Sequence, residues 1–437
     1  MASTKQIARE MFRQTLASID IPAVMERKLV IDRSRLVLSS TTIELSAISR
    51  VVVIAIGKAA HAMANGLCSI LPDGTSFTGV VAAPTPSAAP IPGMQYFVSG
   101  HPLPDIESLR AAEAILNVLR TCDKHTLVFF LLSGGGSALV ELPLHSALSL
   151  EEVQAVHRAL VTCGAPIDAM NTVRRHLSAV KGGRLSLAAS SAQKITLAVT
   201  DVPLGKEAAL ASGPTLPDPT GVADVQRILK EYDLPRRFPG PLQRWLEAGL
   251  MPETPKPGHE AFANACFEVL LGLDDLFHAA HHSVEAHGYC CFCDNSSDDW
   301  PVEEAAEYLL AQLEAWQSEN PGQRVAVVAD GEVSSPVTGN GVGGRNSAFV
   351  LACVEKIAGR RITVLSAGTD GIDGNSLAAG AVADSETLAR ASDLGLDPRA
   401  SFRESDAYTF FAKLGDAVIT GPTGNNLRDL RILLAEP

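Results

Sequence analysis

Short apolar, β-branched runs recur along the chain, separated by longer stretches with a helical repeat. The runs RVVVIAIG (50–57), GVVAA (79–83), TLVFFLLS (126–133), KITLAVTD (194–201), RVAVVADG (324–331), RITVLSAGTD (361–370) and DAVITG (416–421) predict strands. They are continuously apolar rather than alternating, as strands covered on both faces are. Helical spacing marks 59–71, 105–120, 150–163, 222–232, 267–287, 301–319, 345–358 and 385–395. Strands separated by helices predict an α/β fold with a buried, largely parallel sheet. Five prolines in 236–260 predict a linker or irregular crossing segment. This gives an N-terminal domain over 1–240, a linker over 241–260 and a C-terminal domain over 261–437.

Composition narrows the class. A chain of 437 residues exceeds what one core usually organises. Hydrophobic residues at 46% and charged residues at 19% suit a globular enzyme and exclude disorder. The net charge of −13 argues against a general nucleic-acid surface, so an anionic ligand needs a local basic pocket. The eight cysteines are mostly scattered, which fits a reducing compartment rather than a disulfide scaffold. Cys290, Cys291 and Cys293 lack the C-x₂-C metal spacing and predict a buried strand of small apolar residues. His281, His282 and His287, unframed by H-E-x-x-H, predict structural roles. The N-terminus predicts an amphipathic helix with no secretory segment, and no apolar run reaches membrane-spanning length. A cytoplasmic protein without a membrane partner is expected.

Candidate chemistry gathers at strand ends. Five predicted strands run into glycine with a polar or charged residue: Gly57-Lys58, Ser133 to Ser137, Thr200-Asp201, Asp330-Gly331-Glu332 and Gly368 to Gly371. In open α/β sheets ligands sit outside the carboxyl ends of strands. Such residues in both halves predict one site in a cleft between two domains. The turn Ser133, Gly134, Gly135, Gly136, Ser137 lets backbone N–H groups approach an anion, and a following helix start adds its dipole. No Lys follows the glycines, so this is not a Walker loop. Lys58, at the start of a helix, is electrostatically misplaced unless an anion binds there.

Other motifs are less decided. Arg174, Ser178 and Lys181 fall on one helical face by i, i+4 and i+3 spacing, a basic cluster that suits an anionic ligand. Asp201 is a candidate base, Mg²⁺ ligand or turn former. Gly339, Gly341 and Gly344 satisfy G-x-G-x-x-G, a weak match here because the first glycine lies well past its strand. Arg345 and Asn346 open the next helix, and Arg suits bidentate contact with phosphate or carboxylate. Asp370 and Asp373, on a glycine-rich loop, could share Mg²⁺, fix a hydroxyl, or simply form Asx-turns.

Together these motifs resemble one family, the class II glycerate kinases (glycerate 2-kinases), whose C-terminal half is the MOFRL domain. The matching pieces are IGKAA, SGHPLPD, SGGGSALVELP, MNTVRRHLSAVKGGRL, TDVPLG with ASGPTLPDPT, GNGVGGRNS, SAGTDGIDG with AAGA, ESDAYTFF and TGPTGNN, in family order over nearly the whole chain. The resemblance implies a Rossmann-like N-terminal domain and a C-terminal α/β domain of MOFRL type. It implies phosphorylation of D-glycerate at its 2-hydroxyl by ATP with Mg²⁺, and leaves a homodimer open. Lys58 and Arg345 become the active-site cations, and the SGGGS loop, Asp201, Glu332, Asn346 and Asp370 are expected to line the cleft. The chain departs from the family pattern at GEVSSPV, at Lys206, and at Asn425 and Arg428.

The expected mechanism is in-line phosphoryl transfer, which rests on positioning and electrostatics. Ser133 to Ser137, Lys181, Asn346 and Asp370 would contact the nucleotide. Asp370 and Glu332 would hold Mg²⁺. Lys58 and Arg345 would stabilise the transferring phosphoryl group, and Asp201 would orient or deprotonate the 2-hydroxyl. The alternative is a hydroxypyruvate reductase using NAD(P)H, which would explain G-x-G-x-x-G. No acidic residue stands at a strand end about 20 residues beyond those glycines, as the dinucleotide fingerprint asks. A non-catalytic metabolite binder is a further alternative, with little use for carboxylates at several strand ends.

Overall fold

The computed structural model describes residues 3–32, 34–39, 41–72, 75–202, 205–425 and 427–437. Pro203 and Leu204 of TDVPLG and Asn426 of TGPTGNN therefore lie outside the described residues. The chain forms two compact units, Ile21–Gly272 and Met1–Asp20 with Leu273–Pro437.

The first unit carries a small antiparallel sheet of β1 (Val30–Asp32), β2 (Arg35–Leu38) and β3 (Thr41–Glu44). Its main sheet is built from β4 (Arg50–Ile56), β5 (Phe77–Ala83), β6 (Met94–Val98), β7 (Thr126–Leu132), β8 (Gln193–Val199) and β9 (Ala265–Leu271). These lie in the order β6-β5-β4-β7-β8-β9, and every neighbouring pair is parallel. This is the Rossmann order, in which the direction of winding reverses between the first and fourth strands, here β4 and β7. All seven residues of β7 are buried, which explains its uninterrupted apolar sequence.

The second unit contains β10 (Cys290–Cys293), β11 (Val325–Asp330), β12 (Ile362–Gly368), β13 (Gly380–Asp384), β14 (Ala417–Val418) and β15 (Asp429–Ala435). Their order is β10-β11-β15-β12-β13-β14, and only β10 and β11 pair in parallel. The N-terminal sheet is parallel as expected, while this one is mixed because β15 runs antiparallel to both of its neighbours. The core beneath it joins helices Val302–Glu319 and Arg345–Ile357 through Leu309, Leu313, Phe349 and Val354.

Both unit boundaries differ from the expected ones. Residues 267–271, read as the start of a helix, form β9 and close the N-terminal sheet beside β8; the helix starts at Leu273. The N-terminal helix Thr4–Ser18 packs into the second unit. Lys5 Nζ bridges Asp384 at 3.2 Å and Asp416 at 3.1 Å, and Ser283 Oγ donates to Met11 O. No described helix is long and apolar enough to cross a membrane.

Candidate active site

In the first unit the switch point is tied together by backbone. Ser133 N–H donates to Ile56 O, Lys58 N–H to Gly134 O, and Ala59 N–H to Ser133 Oγ, each at 2.9 Å. Gly57 has φ +128°, and a Cβ there would strike Ser133, so the approach of the two turns requires glycine. Gly135, at φ +87°, lets the chain enter the next helix. That helix, Gly136–Leu139, has only four residues, so the expected dipole contribution is small. What the turn does offer is backbone: among the described residues the N–H groups of Gly134 and Gly135 have no partner. Ser133 is fully buried with its hydroxyl committed to Ala59, whereas Ser137 Oγ is half-buried and shares a hydrogen bond with Ser212 Oγ at 2.9 Å.

Lys58 is exposed, and no described group pairs with its ammonium. His101, beyond the end of β6, packs beside Gly135. Partial loss of solvent, and then the charge of Lys58, hold its imidazole below the ordinary value. Only the SGHPLPD motif signalled His101 in the sequence, and it carried no role. Asp201 follows β8 at intermediate exposure, and no described residue bonds its carboxylate.

Lys181 corrects an expectation. The helix Ile167–Leu177 ends before it, and Ser178 is extended at φ −107° and ψ 140°, so Arg174, Ser178 and Lys181 share no helical face. Lys181 is buried and its Nζ donates to Glu141 at 2.6 Å and Val140 O at 3.3 Å. Glu141 also bonds Ser178 Oγ at 2.5 Å and His157 Nε2 at 3.0 Å. Burial opposes its charge, but Lys181 and His157 outweigh that and hold the carboxyl below its usual range. Lys181 is spent inside the protein and is not presented to an anion.

In the second unit a pocket of about 620 Å³ opens where β11 and β12 end. Its wall includes Ser334, Gly343, Gly344, Arg345, Asn346, Asp370 and Asp373. Arg345 is the first residue of helix Arg345–Ile357. Its Nε donates to Asp429 Oδ2 at 2.5 Å, and its Nη2 lies 2.7 Å from Glu332 Oε1. Burial disfavours the guanidinium charge, yet Asp429 and then Glu332 hold its pKa above the ordinary value.

Asn346 is buried, and its Oδ1 accepts from Ser366 Oγ at 2.6 Å. Asp373 is also buried and caps the helix, accepting Asn346 N–H and Ser347 N–H at 2.9 Å and Ser347 Oγ at 2.6 Å. Burial raises its pKa. It is therefore a cap and not a Mg²⁺ partner for Asp370. Asp370 is partly exposed and accepts Ile372 N–H at 3.0 Å. Asp370 and Glu332 join no group of three close metal donors; among the described residues the one such group is His281, Cys291 and Cys293.

The G-x-G-x-x-G glycines face protein. A Cβ on Gly339 would lie 2.5 Å from Glu404 O, one on Gly341 2.5 Å from Asp406 Cβ, and one on Gly344 would strike Asp373. They are small because chain packs on them, not because a pyrophosphate must approach.

Asp330, at the end of β11, was seen in the sequence only as part of a strand-end cluster. It is 1% exposed, and among the described residues its Oδ1 has no hydrogen-bond partner. Burial first, with Asp298 adding and Arg428 opposing, pushes its pKa up to about 6. Asp298 Oδ1 accepts Glu332 N–H at 2.8 Å, and its Oδ2 accepts Arg428 Nη1 at 2.9 Å. Arg431, fully buried, donates to the backbone oxygens of Asp330 and Gly331.

The folded pKa of Asp330 lies above the unfolded value near 3.8, so the fold favours the protonated acid. That contribution is present below about pH 4 and is lost as the pH rises through about 6. A pKa raised to about 6 corresponds to roughly 2–3 kcal/mol at neutral pH. Asp330→Asn is expected to be more stable than the wild type by about that amount at pH 8 and near parity at pH 4. Urea midpoints at the two pH values check this, and an equal difference at both would refute it.

Comparison with known proteins places these features. Residues 7–247 match the family described as "Domain of unknown function (DUF4147)", and residues 325–429 match the MOFRL family. The chain belongs to the glycerate kinase family with a MOFRL domain. It is 33% identical to the D-glycerate 2-kinase of Thermotoga maritima, over 88% of this chain and 90% of that one. It is 31% identical to the glycerate 2-kinase of Pyrococcus horikoshii, over 88% and 87%. A relative from Agrobacterium vitis, 34% identical over 99% and 94%, carries a provisional hydroxypyruvate reductase name. The crystal structure of the Thermotoga maritima glycerate kinase superposes with a TM-score of 0.84 at 30% identity, covering 99% of both chains.

Proposed function

We propose that this family member transfers the γ-phosphoryl group of ATP to the 2-hydroxyl of D-glycerate, giving 2-phosphoglycerate and ADP. The observation that carries the reading is Lys58, unpaired among the described residues, beside the N–H groups of Gly134 and Gly135, which likewise have no described partner, at the switch point of β4 and β7. An exposed cation and a glycine turn without Cβ atoms form a seat for phosphate oxygens. Lys58 and Arg345 neutralise the phosphoryl group as it moves and dock the substrate carboxylate. Asp201, whose carboxylate no described residue bonds, accepts the hydroxyl proton or aims the oxygen.

Mg²⁺ carried by a nucleotide takes one or two protein carboxylates. Asp370, on the pocket wall, fits that role. Glu332 fits only by releasing Arg345, to which it is paired. When bound, the ion would neutralise charge on the phosphates. A cytoplasmic, small-molecule enzyme is part of the same proposal.

The reductase reading draws its support from the name of the Agrobacterium relative. Against it stand glycines committed to packing on Glu404, Asp406 and Asp373. The test is ADP release with D-glycerate, ATP and Mg²⁺, read through enolase. Enolase consumes 2-phosphoglycerate directly, so signal without phosphoglycerate mutase supports the proposal. Signal only with mutase would mean phosphorylation at position 3. No ADP release, with NADH oxidation by hydroxypyruvate instead, would establish the reductase.

A further inference from the structure

The geometry points to a second site, far in sequence from the catalytic motifs, that binds a thiophilic divalent metal ion of the zinc class. We infer that Cys291, Cys293 and His281 are its protein ligands, with the fourth position open to solvent. The residues lie in 281–293, between the matched segments 7–247 and 325–429.

The arrangement follows from an edge strand beside a helix. Strand β10 pairs on one side only, with β11. Cys290 and Phe292 turn into the core, where Phe292 packs on Trp316 and Cys290 O accepts Trp316 Nε1–H. Alternation then sends Cys291 and Cys293 to the opposite face. Helix Leu273–Ala286 brings His281 there. The Nδ1 of His281 lies 3.3 Å from Cys293 Sγ, and the three donor atoms all fall within 4.8 Å of one another.

A tetrahedral ion with Zn–S near 2.3 Å and Zn–N near 2.0 Å holds its donors about 3.5–3.8 Å apart. The side chains therefore need to move by only fractions of an ångström. The second observation is on the other side of the ring: His281 Nε2 lies 3.2 Å from Glu285 Oε1. A carboxylate on the distal nitrogen is the usual orienting partner of a metal-bound imidazole. It fixes Nδ1 as the nitrogen that faces the thiols. A disulfide is a poor alternative use of the pair. Cysteines two apart on one strand have Cα atoms nearly 7 Å apart, at the far limit for a bridge. Two thiolates and an imidazole select zinc, or cobalt as its probe, over magnesium. The open fourth position makes the site accessible to an exchangeable ligand rather than sealed as in a zinc finger.

The test uses the full chain, reduced, stripped with chelator and re-equilibrated with ZnCl₂, CoCl₂ or MgCl₂. The proposal expects one zinc per chain after desalting, a thiolate-to-cobalt charge-transfer band with CoCl₂, and no retention of magnesium. C291S and C293S should each lose the band and at least tenfold in zinc affinity. H281Q should weaken binding and shift the band, while C290S, whose thiol faces the core, should keep both. Circular dichroism confirms that each variant is folded. Zinc retained equally by C291S and C293S, no cobalt band in the wild type, or a loss of two titratable thiols through oxidation without metal would each overturn the assignment. The measurement does not depend on turnover, so it stands or falls separately from the kinase reading.

Discussion

Arg345→Ala is expected to lower kcat for ADP release by at least about 10²-fold, the cost typical of removing one preorganised group that meets developing charge. The guanidinium is already aimed. Asp429, 5% exposed at its side chain, holds Nε, and Glu332 holds Nη2, while Arg345 itself remains 37% exposed on the pocket wall. Two carboxylates on one guanidinium is more negative charge than the cation balances. An anionic substrate approaching it must displace Glu332, the more exposed partner, or share the fork. Arg345→Lys keeps a charge but not the planar fork, so it should recover only part of the rate. Alanine also leaves buried Asp429 unpaired, so stability will fall too. Steady-state kinetics on variant shown to be folded separates the two effects. An unchanged kcat in folded Arg345→Ala would remove Arg345 from the chemistry.

The largest expected effect on stability lies in the Glu141 network. Lys181→Ala should destabilise the first unit by about 3–5 kcal/mol, because it leaves a buried carboxylate without its cation. Glu141→Gln should cost a similar amount by stranding the ammonium of Lys181, which is 1% exposed. The double variant Glu141→Gln with Lys181→Met should be milder than the sum of the two, since it removes both charges together. The network also carries a pH signature. The folded pKa of Glu141 is below the unfolded one, so its contribution is present above about pH 4–5 and is lost as the pH falls into the acid range. Urea midpoints of the four proteins between pH 3 and pH 8 test both statements. Additive losses in the double variant would mean that the two residues act independently.

The apolar runs at β4, β5, β7, β8, β11 and β12 were legible because strands buried on both faces leave few polar positions. Residues 267–271 were misread because a short apolar run beside a helix has no period of its own to mark the change. Strand β15, DLRILLA, passed unnoticed, and with it the antiparallel character of the second sheet. Strand pairing direction is decided by partners well separated in sequence and leaves no local mark.

The site divides in the same way. Lys58, Ser133 to Ser137 and Asp201 were found by the rule that ligands gather at strand ends, and the structure sets them at the ends of β4, β7 and β8. Lys181 was misassigned because helical spacing was carried past Leu177, where the helix stops. Asp330 and Asp373 look alike in sequence, yet one keeps an unpartnered oxygen and the other caps a helix. Burial and partners, which separate them, are tertiary. Cys291 and Cys293 acquire meaning only when a neighbouring helix supplies His281.

The N-terminal helix has a consequence for synthesis. Thr4–Ser18 is synthesised long before its partners, which include Ser283, Asp384 and Asp416, the last 411 residues after Lys5. The unit Ile21–Gly272 is complete in sequence long before those partners exist, and can fold as it emerges. The amphipathic helix meanwhile waits with Met11 and Phe12 uncovered, residues that are buried once it docks. During every round of translation this helix therefore leaves an apolar face exposed until Ser283 and Asp416 have been made, the kind of surface that a chaperone recognises.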